Sequence, residues 1–340
     1  MGTRMGRYTL KMEKPVYVVS TASFVGEKEG EGPLKDYFDY ISKDAMFGEK
    51  SWEKAESRFF KEAFNLAIKK SGLEEEKIDY MFSGDLLNQC GGSTFGLREL
   101  KIPFFGIYGA CSTFGEALSL GAMAVDGGFA ENVLCGAGSH FCSAEKQFRF
   151  PLELGTQRPP TATWTVTGAG AAVISSQKPN FKAPKITYIT TGKIIDMGIK
   201  DSANMGAAMA GAACDVLSAN FKETGRDPKY YDVIATGDLG EVGKALVKKY
   251  MAEENIVFDN NLTDCGLEIY DNETQDTHSG GSGCGCSAVT FCGYYYKLLN
   301  EGKIRKMLLI PTGALLNNDI SQQGETIPAI AHAVSIERCD

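Results

Sequence analysis

The sequence predicts an α/β fold made of two similar halves, residues 15–178 and 179–340, and three observations lead there. Short apolar runs of strand character alternate with amphipathic helical patterns along the whole chain. A unit of turn, helix, glycine and strand occurs twice: 17 residues separate Cys111 from Gly128, and 17 separate Gly285 from Gly302. Five residues past each glycine lies the next strand, at Val133 and at Met307. Finally, 340 residues with 43% hydrophobic and 23% charged side chains suit a globular chain too long for one simple core.

Residues 1–14 read as a frayed start, and Pro15 to Phe24, rich in Val, Tyr and Thr, as the first strand. Gly26 to Lys50 is a polar loop with a short helix. Trp52 to Ser71 is a strong helix, because Ala55, Phe59, Ala63, Leu66 and Ala67 share one face and Gly72 stops it. A strand at Lys77 to Ser83 follows, then a loop or broken helix from Leu86 to Leu97. The run Ile102 to Tyr108 leads through Gly109-Ala110-Cys111 into a helix from Phe114 to about Ala124, and Asn132 to Ala137 is the next strand. Residues 138–164 form a long connection, of a length more often functional than idle. Thr165 to Ser176 is a strand, and Lys178-Pro179 closes the first half.

The second half repeats this rhythm. Strands are expected at Lys185 to Ile195, Asp232 to Thr236, Cys265 to Tyr270 (weakly), Lys306 to Pro311 and Ala329 to Glu337. Helices are expected at Ala203 to Glu223, Glu241 to Ala252 and Cys284 to Asn300, the last entered through His278-Ser-Gly-Gly-Ser-Gly283.

Thirty-five basic against 43 acidic residues give a net charge of −8, which leaves no broad basic surface for nucleic acid. Ten cysteines form no metal pattern: Cys284-x-Cys286 is one residue short of the usual spacer and lacks a second pair. Reduced thiols in a cytosol-like compartment are the economical account. Neither a signal peptide nor an apolar run of membrane-spanning length is found, so a soluble chain is expected.

Cys111 stands at the first turn of its helix, where the dipole favours thiolate, and Gly109 and Ala110 leave room for a ligand. The same pattern also fits a buried, inert thiol. In open α/β sheets ligands sit beyond the carboxyl ends of strands, near helix N-termini, which would bring Cys111 and His278 together between the halves. Of three histidines, His278 has the chemical setting, His140 follows a strand it would equally well cap, and His332 reads as structural. Arg149 and Arg158 lie in the long connection, as solvated charges or as a bidentate grip on a carboxylate.

Three segments resemble the thiolase superfamily, which includes thiolases and 3-ketoacyl-ACP synthases. Gly109-Ala-Cys111-Ser is similar to its nucleophile turn, and Thr167-Gly-Ala-Gly-Ala-Ala-Val173 to the glycine-rich strand ending its first half. Thr277-His278-Ser-Gly-Gly-Ser-Gly283 resembles the segment carrying a catalytic histidine. The resemblance extends over about residues 15–337 and implies a thiolase-like α/β fold, two duplicated halves in a layered αβαβα sandwich, as a homodimer. It also implies Cys111 and His278 at the catalytic positions. The condensing enzymes carry a further histidine where Ala235-Thr236-Gly237-Asp238 places Thr236. Threonine has no imidazole to stabilise an enolate, so carbon–carbon condensation is not expected.

The stretch Glu145 to Gly170, with Gln157-Arg158-Pro159-Pro160 and Trp164, is similar to a sporulation branch of the superfamily from endospore-forming bacteria. That resemblance implies binding of dipicolinic acid, free or as its calcium chelate, for uptake into the developing spore. It implies membrane proteins of the same sporulation system as partners, at the forespore or spore inner membrane. Thr236, Gly237, Ser282, Arg158 and His140 are the expected ligand-binding residues, and oxygen donors such as Asp238 or Glu145 would complete the calcium shell. The alternative is an active acyl-CoA or acyl-ACP acyltransferase in which Cys111 is acylated and His278 assists.

Overall fold

The computed structural model describes residues 2–148 and 158–338, so Arg149 lies outside the described residues. Ten strands carry the architecture. The first five are β1 (Thr9–Val25), β2 (Tyr80–Gly84), β3 (Phe104–Gly106), β4 (Asn132–Ser139) and β5 (Gly168–Ser175). The second five are β6 (Pro184–Thr191), β7 (Val233–Thr236), β8 (Leu262–Asp264), β9 (Lys306–Ile310) and β10 (Ala329–Arg338). The first set runs β1-β5-β4-β2-β3, with two antiparallel pairings followed by two parallel ones. The second runs β6-β10-β9-β7-β8 with the same succession of directions. Antiparallel pairing of β1 with β6 joins the two sets.

Helices lie in layers around these sheets. Outside the first set pack α1 (Trp52–Ser71) and α2 (Gly91–Leu97). Between the sets, α3 (Thr113–Gly127) touches both β4 and β10. Further along the chain come α4 (Phe141–Phe148), then α5 (Met205–Thr224) and α6 (Gly240–Glu253) over the second set. Finally α7 (Cys284–Thr290) lies beside α3 on β4 and β5. Every residue of β4 and β5 is buried, as strands covered by helices on both faces require. Helix α1 matches its expected bounds: Ser51 caps its start through the Lys54 N–H, and Gly72, with φ of 72°, ends it.

Three expectations change. The start of the chain is not frayed: Thr3–Arg4 pairs with β1, which begins at Thr9. Distant carboxylates hold it, Glu223 accepting the N–H groups of Arg7, Tyr8 and Thr9, and Asp126 those of Glu13 and Lys14. Cys265 to Tyr270 is not a strand. The ladder with β7 ends at Asp264, and Cys265–Ile269 turns into a short helix. The long connection also contains α4. By contrast, the helix expected from Cys284 to Asn300 is present, running through a π-type stretch, Phe291–Tyr295, to Glu301.

Candidate functional site

Beyond β3 the chain makes a tight turn at Ala110, whose φ of 49° is left-handed. The turn is pinned by hydroxyls: Thr113 Oγ1 donates to the Ala110 carbonyl at 2.6 Å, and Ser112 Oγ to the Gly109 carbonyl at 2.6 Å. The second half presses against it, since a Cβ on Gly313 would lie 2.0 Å from the Gly109 carbonyl oxygen. Cys111 is thereby fixed at the mouth of α3.

Facing it are residues of the second half. Gly281–Ser282 pairs in parallel with Trp164–Thr165, and this short ladder aims Ser282 at the sulfur. Cys111 Sγ is 3.8 Å from Ser282 Oγ, which donates to Asp238 Oδ2 at 2.7 Å. The Gly283 N–H donates to the same oxygen at 3.1 Å, while Asp238 Oδ1 has no hydrogen-bond partner among the described residues. Burial raises the Asp238 carboxyl to about 7, against the pull of its contacts with Cys111, Ser282 and Gly283, and the Asp264 carboxylate adds to the rise. Burial, followed by the Asp238 carboxylate, pushes the Cys111 thiol well above its usual range. The thiolate expected from the helix dipole is therefore not the resting form; desolvation and a neighbouring negative charge outweigh the dipole.

Cys111 and Ser282 open into a cavity of about 90 Å³. Its walls combine apolar side chains (Leu86, Phe148, Met205, Met209) with the hydroxyls of Thr163, Thr165, Ser202 and Ser282, and Glu145 also lines it. Both halves contribute, as expected of a ligand site between them.

The other expected site residues lie elsewhere. His278 does not line the cavity: Nδ1 is 2.8 Å from the Pro159 carbonyl, and Nε2 is 2.9 Å from Asp276 Oδ1. The pairing of Cys111 with His278 is thus not formed. The reason is local: His278 sits at φ 56°, Ser279 N–H binds the Ala162 carbonyl, and the extended run that follows brings Ser282 to the sulfur instead. Arg158 is also outside the cavity, its guanidinium held by Asp276 at 2.9 Å and stacked over Trp164 at 4.8 Å.

Thr236 is buried behind the wall, donating to Asp264 Oδ2 at 2.6 Å. Gly237 braces the turn, its N–H on the Ile310 carbonyl and its own carbonyl receiving the Cys286 thiol at 3.3 Å. His140 is buried, with Nε2 2.7 Å from the Ala45 carbonyl and Nδ1 accepting the Cys142 N–H at 3.1 Å, so it serves the start of α4. His332 is buried, and desolvation lowers it to about 4. Asp238, named from sequence only as a calcium oxygen, is instead screened from the cavity by Cys111, Ser282 and Gly283 and bonded to Ser282. Its position just past the carboxyl end of β7 was the available signal.

Residues 6–337 match the family model described as Stage V sporulation protein AD. The chain belongs to the stage V sporulation protein AD family. It is 44% identical over 333 residues to Stage V sporulation protein AD of Bacillus subtilis (strain 168), covering 98% of this chain and 97% of that one. Among solved structures, a variant of Xanthomonas campestris OleA crystallised with cerulenin matches with TM-score 0.61 at 12% identity, covering 95% of this chain and 97% of that one. A tetronic acid condensing enzyme gives 0.60 at 15% identity, over 95% and 99% of the two chains. 3-Oxoacyl-[acyl-carrier-protein] synthase III from Aquifex aeolicus VF5 gives 0.56 at 12%, over the same shares. Those structures show the thiolase-like fold of this stage V sporulation protein AD family member. Among the described residues, no helix is long and apolar enough to cross a membrane.

Proposed function

We propose that this chain binds dipicolinic acid, free or as its calcium chelate, for uptake into the developing spore. Membership of the sporulation family supports the setting. The single observation that carries the binding reading is the cavity at Cys111. It is half polar, both halves of the chain line it, and none of the three histidines lines it among the described residues. A neutral thiol backed by a serine and a carboxylate suits a wall better than a nucleophile. Membrane proteins of the same sporulation system, at the forespore inner membrane, are the partners this reading expects.

A homodimer is part of the same reading. Strand β3 is the outer strand of its sheet, all three of its residues are exposed, and Phe104, Phe105 and Tyr108 present aromatic surface there. An open apolar edge of this kind is a template for a second copy.

Calorimetry with dipicolinate, with and without calcium, tests the binding reading. Heat is expected with the wild-type chain and not with Ala203→Trp, which fills the cavity. The second reading, an acyltransferase, is favoured by Cys111 opening into the cavity at the mouth of α3. Intact mass after incubation with acyl-CoAs tests it: a stable adduct on Cys111 without dipicolinate heat would reverse the order.

A further inference from the structure

The chain carries a net charge of −8, yet one end of the molecule is basic. Two helices that start at the cavity define that end. Helix α3 begins beside Cys111 and α5 begins at Met205, both cavity residues, and they finish at Gly127 and Thr224. At 1.5 Å per residue their far ends lie about 20–30 Å from the cavity. The N-terminal arm, residues 2–14, crosses those ends. Glu223 of α5 accepts the N–H groups of Arg7, Tyr8 and Thr9, and Asp126 of α3 accepts those of Glu13 and Lys14. The arm is thus held by its backbone, and the side chains of Arg4, Met5, Arg7 and Lys14 are exposed.

The acids at this end are committed. Besides Asp126 and Glu223, Glu13 pairs with Lys11 at 3.2 Å and Asp215 with Lys193 at 2.7 Å. Lys193 belongs to the patch because its Nζ lies 5.5 Å over the Tyr8 ring. Arg4, Arg7, Lys14 and the exposed Lys222 have no ion pair among the described residues. With every acid counted, six bases (Arg4, Arg7, Lys11, Lys14, Lys193, Lys222) stand against four carboxylates. Apolar surface is set among these cations. Phe129, just past α3, is 77% exposed, more than any other large apolar side chain among the described residues, and Met5 is 39% exposed. Lys14 Nζ reaches the same turn, since a Cβ on Gly128 would lie 2.8 Å from it. Glu131 is the exposed carboxylate at the margin, and Lys77 and Lys178 share the walls of the hollow it lines.

We propose that this end docks on an anionic lipid bilayer, with the cations of the arm at the headgroups and Phe129 and Met5 entering the interface. Charge complementarity names the occupant. A leaflet of anionic lipid offers negative charge to every unpaired cation at once, and apolar depth beneath it for a phenylalanine that protrudes on a turn. This goes beyond the binding reading and does not depend on it. The orientation turns the cavity end away from the bilayer, toward the aqueous side.

Flotation with protein-free vesicles tests the docking, with equal parts phosphatidylglycerol and phosphatidylcholine in one arm and phosphatidylcholine alone in the other. The wild-type chain should float with the anionic vesicles at low salt and not with the neutral ones. It should be released in about 0.5 M NaCl, where screening shortens to a few ångströms. The double variant Arg4→Gln, Arg7→Gln should bind at least about tenfold more weakly. Phe129→Ser should bind several-fold more weakly, about 3- to 10-fold. The pair Lys54→Gln, Lys200→Gln removes the same charge from exposed sites away from the arm and should bind as wild type does. Equal binding to neutral vesicles, an arm variant equal to wild type, or the same loss in the control pair would overturn the proposal. Failure to float with protein-free vesicles would overturn it too, even if native membranes or a second copy of the chain held this end, because the occupant would then be a protein. None of these outcomes bears on the dipicolinate heat, so the binding reading stands or falls separately.

Discussion

Burial and the carboxylate of Asp238 together keep the Cys111 thiol protonated, and the two causes can be separated. Asp238→Asn removes the charge and leaves the burial. Alkylation of Cys111 by iodoacetamide, followed by peptide mass mapping, should then run several-fold faster, about 3- to 10-fold, at about pH 8. Equal rates would mean that access alone limits the thiol. The same carboxylate ties stability to pH. Its folded-state pKa of about 7 lies above the ordinary 3.8, so the folded chain holds the proton more tightly than the unfolded chain. The stability this confers is complete below the unfolded value and is lost as pH rises to about 7, with little change beyond. The full span is about 4 kcal/mol as an upper bound. Glu29, Glu56 and Asp264 are raised by burial as well and act in the same direction. Comparing wild type with Asp238→Asn isolates one group: Tm should fall, relative to the variant, between pH 5 and pH 8. A parallel pair of curves would contradict the assignment.

At the scale of elements, the glycine-rich strand β5 shows how a readable motif hides its reason. The pattern of small residues marks a buried strand from sequence alone. Why Gly170 must be glycine is decided by α7. A Cβ there would lie 2.5 Å from the backbone carbonyl of Ala288, a clash that no side-chain rotation relieves. Gly170→Ala should therefore cost about 1–3 kcal/mol in denaturant unfolding and push α7 outward. Since Ser282 lies just before α7, the variant should also lose ligand heat. A fully stable Gly170→Ala chain would show that α7 has slack. Helix α1 is the opposite case. Its cap, its apolar face and its terminal glycine are all local, and its bounds are those expected from sequence.

For the whole molecule, the two five-strand sets use one order and one succession of directions, which agrees with the repeat spacing from Cys111 to Gly128 and Gly285 to Gly302. The cavity sits where both sets contribute, and Tyr108 links it to the open edge of β3. If a second copy covers that edge, a charge placed there should expose the single chain. Phe105→Glu, at a side chain 51% exposed, should shift sedimentation from dimer to monomer while the circular dichroism stays unchanged. A wild-type monomer would remove the dimer from the proposal. The edge strand was legible as a strand; that it ends the sheet was not, because the order of parallel strands leaves no local mark.

By itself, the sequence determined the alternation of strands and helices, the repeated unit and the sulfur at a helix start. Each of these is written in short-range periodicity, caps and spacing. The tertiary structure alone decided which groups meet that sulfur. His278 and Ser282 are four residues apart, and the choice between them was made by the pairing of Gly281–Ser282 with Trp164–Thr165. Asp238 reached the site because β7 lies in register beside β9. Contacts between segments so distant along the chain depend on sheet register and layer packing, which no local pattern encodes.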